Sequence, residues 1–381
     1  MKKKLIAIVV GAATVMPALA LADVTVYGRA HISADFLDDG AKYSETNLSS
    51  NSSRLGFKGD HQISPDLKAF FQIEQQINFT TGGEAESGKN FATRDTFVGL
   101  GGNFGALQVG RFDSPFKTAR GPFNLFGDQV GDMNNLARVT DGALDNRYDN
   151  TIQYTTPSFS GFTGKVAYSM YKGQSLDTTK NLDGTNSNAN NEDSDAFSMS
   201  LSYAAGPLEA SLGYEKVEED TSKGEADSFR AAGAYKITDA FKLVGFYQTT
   251  EFDGSGRNNN KGKPESTSAQ RDAGTFDVYG LGGEFAIAKN TALKATWMTH
   301  SSDAKKADAD MWVVGIEHKL DKAVRVYANY AVVDNDDNAA YSPWMQSRSA
   351  KPSDQSKDAA GRNHAMGEKA AGFTVGLRYD F

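Results

Sequence analysis

The chain has 381 residues, no cysteine, and 40 basic against 48 acidic side chains, which gives a formal net charge of −8 at pH 7. The absence of cysteine excludes disulfides, zinc–thiolate sites and thiol catalysis, and the acidic balance disfavours nucleic acid, whose phosphates need a basic surface. Aromatic residues make up 11% of the chain and 38 residues are glycine, a composition that suits short strands that are apolar on one side only.

The first 22 residues have the pattern of an export signal. Three consecutive lysines follow Met1, an apolar run extends to Leu19, and Ala20-Leu21-Ala22 offers a small-residue cleavage site. We expect cleavage after Ala22, which leaves residues 23–381 as a single domain with 37 basic and 48 acidic side chains, a net charge of −11. Beyond Ala22 no apolar run reaches the roughly 18 residues that a membrane-spanning helix needs.

Alternation of apolar and polar residues with a period of two dominates the remaining chain and predicts strands. In residues 67–79, Phe71 and Ile73 share an apolar face while Lys68 and Glu74 share the opposite face. Further segments with this pattern are 162–170, 197–203, 208–214, 293–297, 324–332 and 373–381. We count about 16 such segments, many close to the roughly 9–11 residues of a tilted membrane strand.

The connections between these segments alternate in length. Short connections with turn-forming residues lie at 61–66, 103–105, 157–161, 205–207, 237–239, 288–290 and 320–322. Long polar connections lie at 38–49, 80–90, 113–146, 173–194, 217–227, 251–274, 302–309 and 334–370. The alternation predicts an all-β fold, a transmembrane antiparallel up-and-down barrel of about 16 strands with short periplasmic turns and long external loops.

A soluble all-β protein with a buried core is the alternative fold. It would bury two apolar faces against each other, and it would have loops of similar length at both ends. It does not explain why lysine, glutamate and arginine so regularly take the second face. A closed barrel with its apolar face toward lipid and a water-filled lumen does explain this, because lipid tolerates no unpaired sheet edge.

The two longest connections differ in apolar content. Residues 334–370 are mostly polar and are expected to form a solvated external loop. The connection 113–146 carries a heavy apolar load: Phe116, Phe123, Leu125, Phe126, Met133 and Leu136. A loop of that composition has to pack against something, and the inner wall of the barrel is available. We therefore expect residues 113–146 to fold into the lumen.

Several stretches carry a resemblance to the trimeric general-diffusion porins of Gram-negative outer membranes, over the whole length after the export signal. They are Val24-Thr25-Val26-Tyr27-Gly28-Arg29, Ser53-Arg54-Leu55-Gly56-Phe57-Lys58-Gly59, Arg94-Asp95-Thr96-Phe97-Val98-Gly99-Leu100, Gly110-Arg111-Phe112, Asn146-Arg147-Tyr148 and Val375-Gly376-Leu377-Arg378-Tyr379-Asp380-Phe381. The resemblance implies a 16-stranded barrel in the outer membrane, a homotrimer, and a third long loop that narrows the lumen. It also implies that the outer-membrane assembly machinery reads the last strand, which ends at Phe381.

Strand parity and the resemblance together select a set of pore residues. Parity places Arg29, Arg54, Arg94 and Arg147 on inner faces, with Phe97 among the outward apolar residues. In the resembling family, basic residues at these places form a ladder opposite carboxylates of the inward loop, for which Asp128 and Asp132 are the best match. Opposed charges across a narrow waist orient dipolar solutes and set ion preference without tight binding. The alternative for each arginine is a salt-bridged wall residue.

The same pattern selects four further charged residues. Lys68 and Glu74 face inward and are expected at the pore rims. Parity turns Arg111 and Asp95 outward, where a charge should not face lipid. A contact between subunits and a role in the pore therefore both stay open for Arg111 and Asp95.

The sequence predicts a passive pore for small hydrophilic solutes and ions. A substrate-specific channel and a surface adhesin or receptor remain as alternatives from other classes. An enzyme is not expected, because the five histidines are scattered and no catalytic or metal-binding motif occurs. No catalytic residue, metal or cofactor is predicted, and the acidic stretches 183–195 and 334–337 are expected to be solvated loop tips. The sign of the ion preference stays open.

Overall fold

The computed structural model describes residues 23–82, 91–138, 144–171, 194–219, 224–253, 274–344 and 365–381. Within these ranges, 17 β-strands form one antiparallel sheet that closes on itself, because the first strand pairs with the last. The strands are β1 (Asp23–Asp38), β2 (Ser44–Ser50), β3 (Arg54–Ser64), β4 (Leu67–Gln76), β5 (Thr96–Gly102), β6 (Gly105–Asp113), β7 (Arg147–Thr155), β8 (Phe162–Tyr171), β9 (Ser194–Ala205), β10 (Leu208–Glu219), β11 (Gly224–Lys236), β12 (Phe241–Asp253), β13 (Thr275–Ala288), β14 (Thr291–Ser302), β15 (Ala309–Lys319), β16 (Val324–Asn335) and β17 (Lys369–Asp380).

These strands occupy sixteen positions around the barrel, because β2 and β3 act as one interrupted strand. Both pair with β1: Ile32 lies opposite Ser50 of β2, and Arg29 lies opposite Arg54 of β3. The interruption is at Ser52, whose φ of 52° is incompatible with a continuous strand. The predicted barrel of about 16 strands is confirmed, whereas the predicted loop 38–49 is largely strand, since β2 begins at residue 44.

The outer face of the barrel is apolar. In β17 the side chains of Phe373 and Val375 are 41% and 47% exposed, while Thr374 between them is 1% exposed. Alternation of side chains along a strand thus sends one set toward lipid and the other toward the lumen. No helix in the described ranges is long and apolar enough to span a bilayer.

Strand β5 departs from the predicted parity. Val98 is 54% exposed on the outside, whereas the ring of Phe97 lies inside, with its centroid 6.1 Å from that of Phe70 and 5.8 Å from that of Phe112. Gly99 leaves the room that Phe70 fills, because a Cβ there would lie 2.4 Å from the Phe70 ring. The prediction that Phe97 faces outward is therefore wrong. Its neighbours in β5, such as Val98, face outward instead.

The main hydrophobic core lies inside the barrel. The connection 113–146, which we call the constriction loop, contains helix α1 (Pro115–Thr118), a 3₁₀ turn (Gly121–Phe123) and helix α2 (Asn134–Ala137). Its six apolar side chains named above are all buried, and all except Phe116 cluster with wall residues such as Val244, Val278 and Met311. Burial of each such side chain contributes roughly 1.5–3 kcal/mol, which holds the loop against the wall.

The start of the final long connection also folds inward. Tyr341 and Trp344 are 5% and 2% exposed and belong to the same apolar cluster as Phe126 and Val130 of the constriction loop. The expectation of a solvated loop over 334–370 is therefore wrong for residues 339–344; residues 345–364 lie outside the described ranges. The cause is the apolar surface that the constriction loop itself presents inside the barrel.

Candidate functional site

Basic side chains of the wall converge on one carboxylate. Arg94 Nε donates to Glu74 Oε1 at 2.6 Å, Arg54 Nη1 lies 3.7 Å from the same oxygen, and the hydroxyl of Tyr27 donates to Oε2 at 3.0 Å. Arg94 precedes the first residue of β5, so strand parity does not constrain it, and it reaches inward from a loop. Glu74 is 6% exposed and is paired with both arginines.

Arg29 joins the wall to the constriction loop. Its Nη1 lies 3.1 Å from Asp128 Oδ2, and its Nε donates to Asp380 Oδ1 at 2.8 Å. Burial raises the pKa of Asp128, but the guanidinium groups of Arg29 and Arg54 outweigh it and lower that pKa to about 2. Asp128 is therefore ionised at neutral pH, with its carboxylate facing the wall arginines.

Asp132 has a different position from the one expected. Its carboxylate is 3% exposed and accepts hydrogen bonds from the backbone N–H of Asp128 at 2.7 Å and of Asn134 at 2.9 Å. Burial raises the pKa of this carboxyl above its ordinary value. Asp132 thus closes the turn that presents Asp128, and its carboxylate oxygens are engaged by the loop backbone.

A second charged group lies around Arg147. Its Nε donates to Asp95, and its Nη2 lies 2.8 Å from Asp113 Oδ1. Lys117 Nζ lies 3.3 Å from that same oxygen, so one carboxylate serves two cations. Asp95 also precedes β5, so the predicted outward parity does not apply to it; its carboxylate is held in the lumen by Arg147 and by the backbone N–H of Asp113.

Two more cations complete the basic surface of the lumen. Arg120 lies on the constriction loop, and Lys165 lies on the inward face of β8, opposite in parity to the exposed Val166. Within the described part of the chain, neither has a carboxylate at ion-pair distance, although Asp113 acts on both from farther away. Lys117, Arg120 and Lys165 were not predicted from the sequence. The parity of β8 and the predicted inward position of residues 113–146 were the signals for them.

Arg111 and Lys68 lie away from the waist. Arg111 shares the outward face of β6 with Val109, which is 45% exposed, and its Nη1 lies 2.5 Å from Asp149 Oδ1. A register shift between β6 and β7 next to Arg111 brings Asp149 to the same face. Lys68 lies at the short-turn end of β4, with its Nζ 4.0 Å from Asp60 Oδ2. In the described ranges no group of three or more His, Asp or Glu side chains is arranged to hold a metal ion.

Comparison with known proteins gives a consistent result. A family model described as Gram-negative porin matches residues 7–338. The chain is 29% identical to outer membrane porin protein 32 of Delftia acidovorans, with 100% of both chains covered. An anion-selective porin from Comamonas acidovorans superposes with a TM-score of 0.73 at 24% identity, covering 94% of this chain and 100% of that one. The trimer form of OmpT from Vibrio cholerae superposes with a TM-score of 0.63 at 17% identity, covering 94% and 99%.

Proposed function

Because the chain belongs to the Gram-negative porin family and forms a channel in the outer membrane, we propose that its charged constriction passes small hydrophilic solutes passively and prefers anions. The observation that carries the preference is an excess of basic side chains at the waist. The basic residues are Arg29, Arg54, Arg94, Lys117, Arg120, Arg147 and Lys165, and the carboxylates at ion-pair distance from them are Glu74, Asp95, Asp113, Asp128 and Asp380. A narrow passage lined by an excess of one sign favours the opposite ion.

The acidic balance of the whole chain opposes this preference only weakly. The chain has 48 acidic side chains, and within the described ranges five of them are at ion-pair distance from the basic residues of the waist. At physiological ionic strength the Debye length is about 8 Å, so charges on distant loops are largely screened from an ion in the constriction. The basic groups at the waist are within contact distance of the ion and dominate its energy. A related solved structure is also described as anion-selective.

The proposal extends to assembly. Residues 1–22, outside the described ranges, act as the export signal, and the mature chain forms a homotrimer whose last strand, ending at Phe381, is read by the assembly machinery. The outward Arg111–Asp149 pair supports a subunit contact, because a charged pair is better placed against protein than against lipid. A structural neighbour is described in a trimer form. The family and fold are those of channels, and we propose that the chain has no catalytic activity and no cofactor.

A substrate-specific channel and a surface adhesin are less well supported. Substrate specificity of that kind needs a continuous track of free aromatic rings along the lumen. Three of the inward aromatic side chains are already engaged: Tyr27 donates to Glu74, Phe70 contacts Phe97, and Tyr327 lies 2.8 Å from a ring nitrogen of His31. No feature of the described external residues favours an adhesin.

Reversal potentials across a planar bilayer with a salt gradient test the ion preference. We expect the parent channel to select chloride over potassium. Arg54→Gln together with Arg94→Gln should lower that ratio by more than about fivefold, because each of the two lost unit charges contributes about 1 kcal/mol at about 4 Å in water. The double change also leaves Glu74 uncompensated.

The matched control is Lys306→Gln, which removes a positive charge on an external loop, where Lys306 pairs with Asp337. It should leave the reversal potential near that of the parent. A cation-selective parent would contradict the proposed preference, and an unchanged potential in the Arg54/Arg94 variant would show that these arginines only support the wall.

The anion preference should also fall between pH 7 and pH 9. Burial and the neighbouring Arg147 lower the pKa of Lys117 to about 8, against the opposing effect of Asp113. Lys117 is therefore protonated below pH 8 and neutral above it, so raising the pH removes one positive charge from the waist. Reversal potentials across this range test the prediction, and Lys117→Arg should abolish the pH step. A step of the same size in the Lys117→Arg channel would assign it to another group.

A further inference from the structure

Residues 339–344, which we call the mouth segment, lie inside the barrel against the constriction loop. The segment leaves β16 and turns back on itself, because Asn335 Nδ2 donates to Tyr341 O at 3.0 Å and the N–H of Tyr341 donates to Asn335 Oδ1 at 2.8 Å. These reciprocal bonds hold its beginning to the barrel. The mouth segment therefore has a defined place in the lumen within the described ranges.

The carbonyl of Pro343 is the acceptor for two donors of the constriction loop. Gly131 N donates to it at 2.7 Å and Asn135 Nδ2 donates to it at 2.8 Å. These donors flank Asp132, whose carboxylate closes the turn that presents Asp128 to the wall. Through these two hydrogen bonds the mouth segment holds the part of the constriction loop that carries Asp128, its acidic pore residue.

His300 on β14 joins the wall to both inward segments. Its Nδ1 lies 3.2 Å from Leu136 O, which can only accept, so Nδ1 carries the proton. Its Nε2 then accepts from the hydroxyl of Tyr341 at 2.9 Å, and the ring stacks on Phe276 with centroids 4.6 Å apart. The neutral imidazole is fully satisfied in this tautomer, and it is 3% exposed.

Trp344 anchors the far end of the mouth segment. Its side chain is 2% exposed in the apolar cluster that also contains Val130 of the constriction loop. Gly372 of β17 permits this packing, because a Cβ there would lie 2.8 Å from Val130 and 3.6 Å from the Trp344 ring. The indole and the turn around Val130 therefore pack against the same part of the wall.

From these contacts we infer that the mouth segment is a second fixed wall of the constriction, which positions the Asp128 turn and sets the size limit for solutes. Asn135 and His300 are positioning residues, since they act through the loop and touch no solute. The constriction is thus built from two connections that are about 200 residues apart in the chain, as shown by the Asn135–Pro343 contact. This inference concerns aperture and size, and it is independent of the sign of the charge preference.

Single-channel conductance and the polyethylene glycol size that still enters the pore test this inference. Trp344→Ala removes the anchor, and we expect a higher conductance, more open-channel noise and a cut-off shifted to larger polymers. The matched control is Trp312→Ala, the same truncation at a tryptophan that is 61% exposed on the outer face. It should leave the conductance and cut-off at parent values.

A milder double variant keeps the inference testable if the Trp344→Ala chain does not fold. Asn135→Ala with Tyr341→Phe removes one bond to Pro343 and the bond to His300 while keeping the apolar packing. A folded double variant with parent conductance, noise and cut-off would overturn the inference. Reversal potentials recorded in the same bilayers report on the anion preference separately, so failure of one proposal is distinguishable from failure of the other.

Discussion

Replacing Arg230 with methionine is expected to lower the free energy of unfolding by about 3–5 kcal/mol at neutral pH, the cost of breaking a buried ion pair from one side. Arg230 lies on β11 and is 0% exposed. Its Nη1 donates to Phe116 O and to Asp145 Oδ1, both at 3.1 Å, and its guanidinium lies 4.0 Å from the centroid of the Phe116 ring. Removing it leaves Asp145 buried without its charge partner.

The same change should loosen the constriction loop. Arg230 Nη2 donates to Gln248 Oε1 at 2.7 Å, and Gln248 Nε2 in turn donates to Ala137 O at 2.7 Å. Two adjacent wall strands therefore hold the loop near its start, at Phe116, and at the end of α2, at Ala137. We expect increased open-channel noise in the Arg230→Met channel, although Arg230 itself adds no charge to the accessible lumen.

The pH dependence of this effect has a defined sign. Burial raises the pKa of Asp145, but Arg230 and Arg120 outweigh it and hold that pKa below its ordinary value. A carboxylate of lowered pKa contributes stability that is present above its unfolded pKa, near 4, and is lost as the pH falls through the folded value. The penalty of Arg230→Met should thus be large at pH 7 and smaller at acid pH, where Asp145 can take up a proton.

Urea unfolding of detergent-refolded protein, followed by tryptophan fluorescence, measures this penalty. The double variant Arg230→Met with Asp145→Asn should recover part of the stability, because both charges are then absent. An Arg230→Met chain as stable as the parent at pH 7 would contradict the assigned role of the pair.

Replacing Gly131 with alanine is the second change with a large expected effect. Gly131 has a φ of +92°, and a Cβ there would lie 2.5 Å from Cγ1 of Val313 on β15. Left-handed backbone costs roughly 1–2 kcal/mol for a residue with a Cβ, and overpacking adds roughly 1–3 kcal/mol. We expect the turn to move off the wall, which lengthens the Asp128–Arg29 contact and alters both conductance and reversal potential.

Gly206→Ala is the matched control for this change. Gly206 also has a positive φ, +58°, but nothing lies within 4 Å of a Cβ built there. The Gly206→Ala chain should lose only the part of the free energy of unfolding that left-handed backbone costs, and it should keep the conductance and selectivity of the parent. Equal effects on conductance from the two variants would mean that the contact with Val313 does not position the turn.

Much of the architecture could be predicted because it depends on a local period. Side chains alternate along a strand and lipid accepts only the apolar set. Segments such as 373–381 can therefore be recognised as membrane strands from their alternation alone. The apolar load of 113–146 likewise predicted a loop packed inside the wall. Strand β5 was misassigned because Phe97 is apolar and yet faces the lumen, where its ring packs against Phe70 and Phe112.

The charged site was predictable in composition and less so in pairing. Arg29 and Asp128 were named from the sequence and lie 3.1 Å apart. Asp132, four residues on, was predicted as a pore residue in the same way. Its carboxylate instead accepts a hydrogen bond from the loop backbone, because the turn directs only Asp128 toward the wall arginines. Lys117 was missed, since nothing in its local sequence indicates that it shares Asp113 with Arg147.

The sequence by itself thus determined the barrel, the sidedness of its connections and the inward course of the constriction loop, because each follows from polarity repeated over neighbouring residues. Only the tertiary structure decided which charges meet at the waist and that residues 339–344 fold in beside the loop. Those contacts join residues far apart in the chain, such as Gly131 and Pro343, and packing inside the closed barrel brings them together without any local signal.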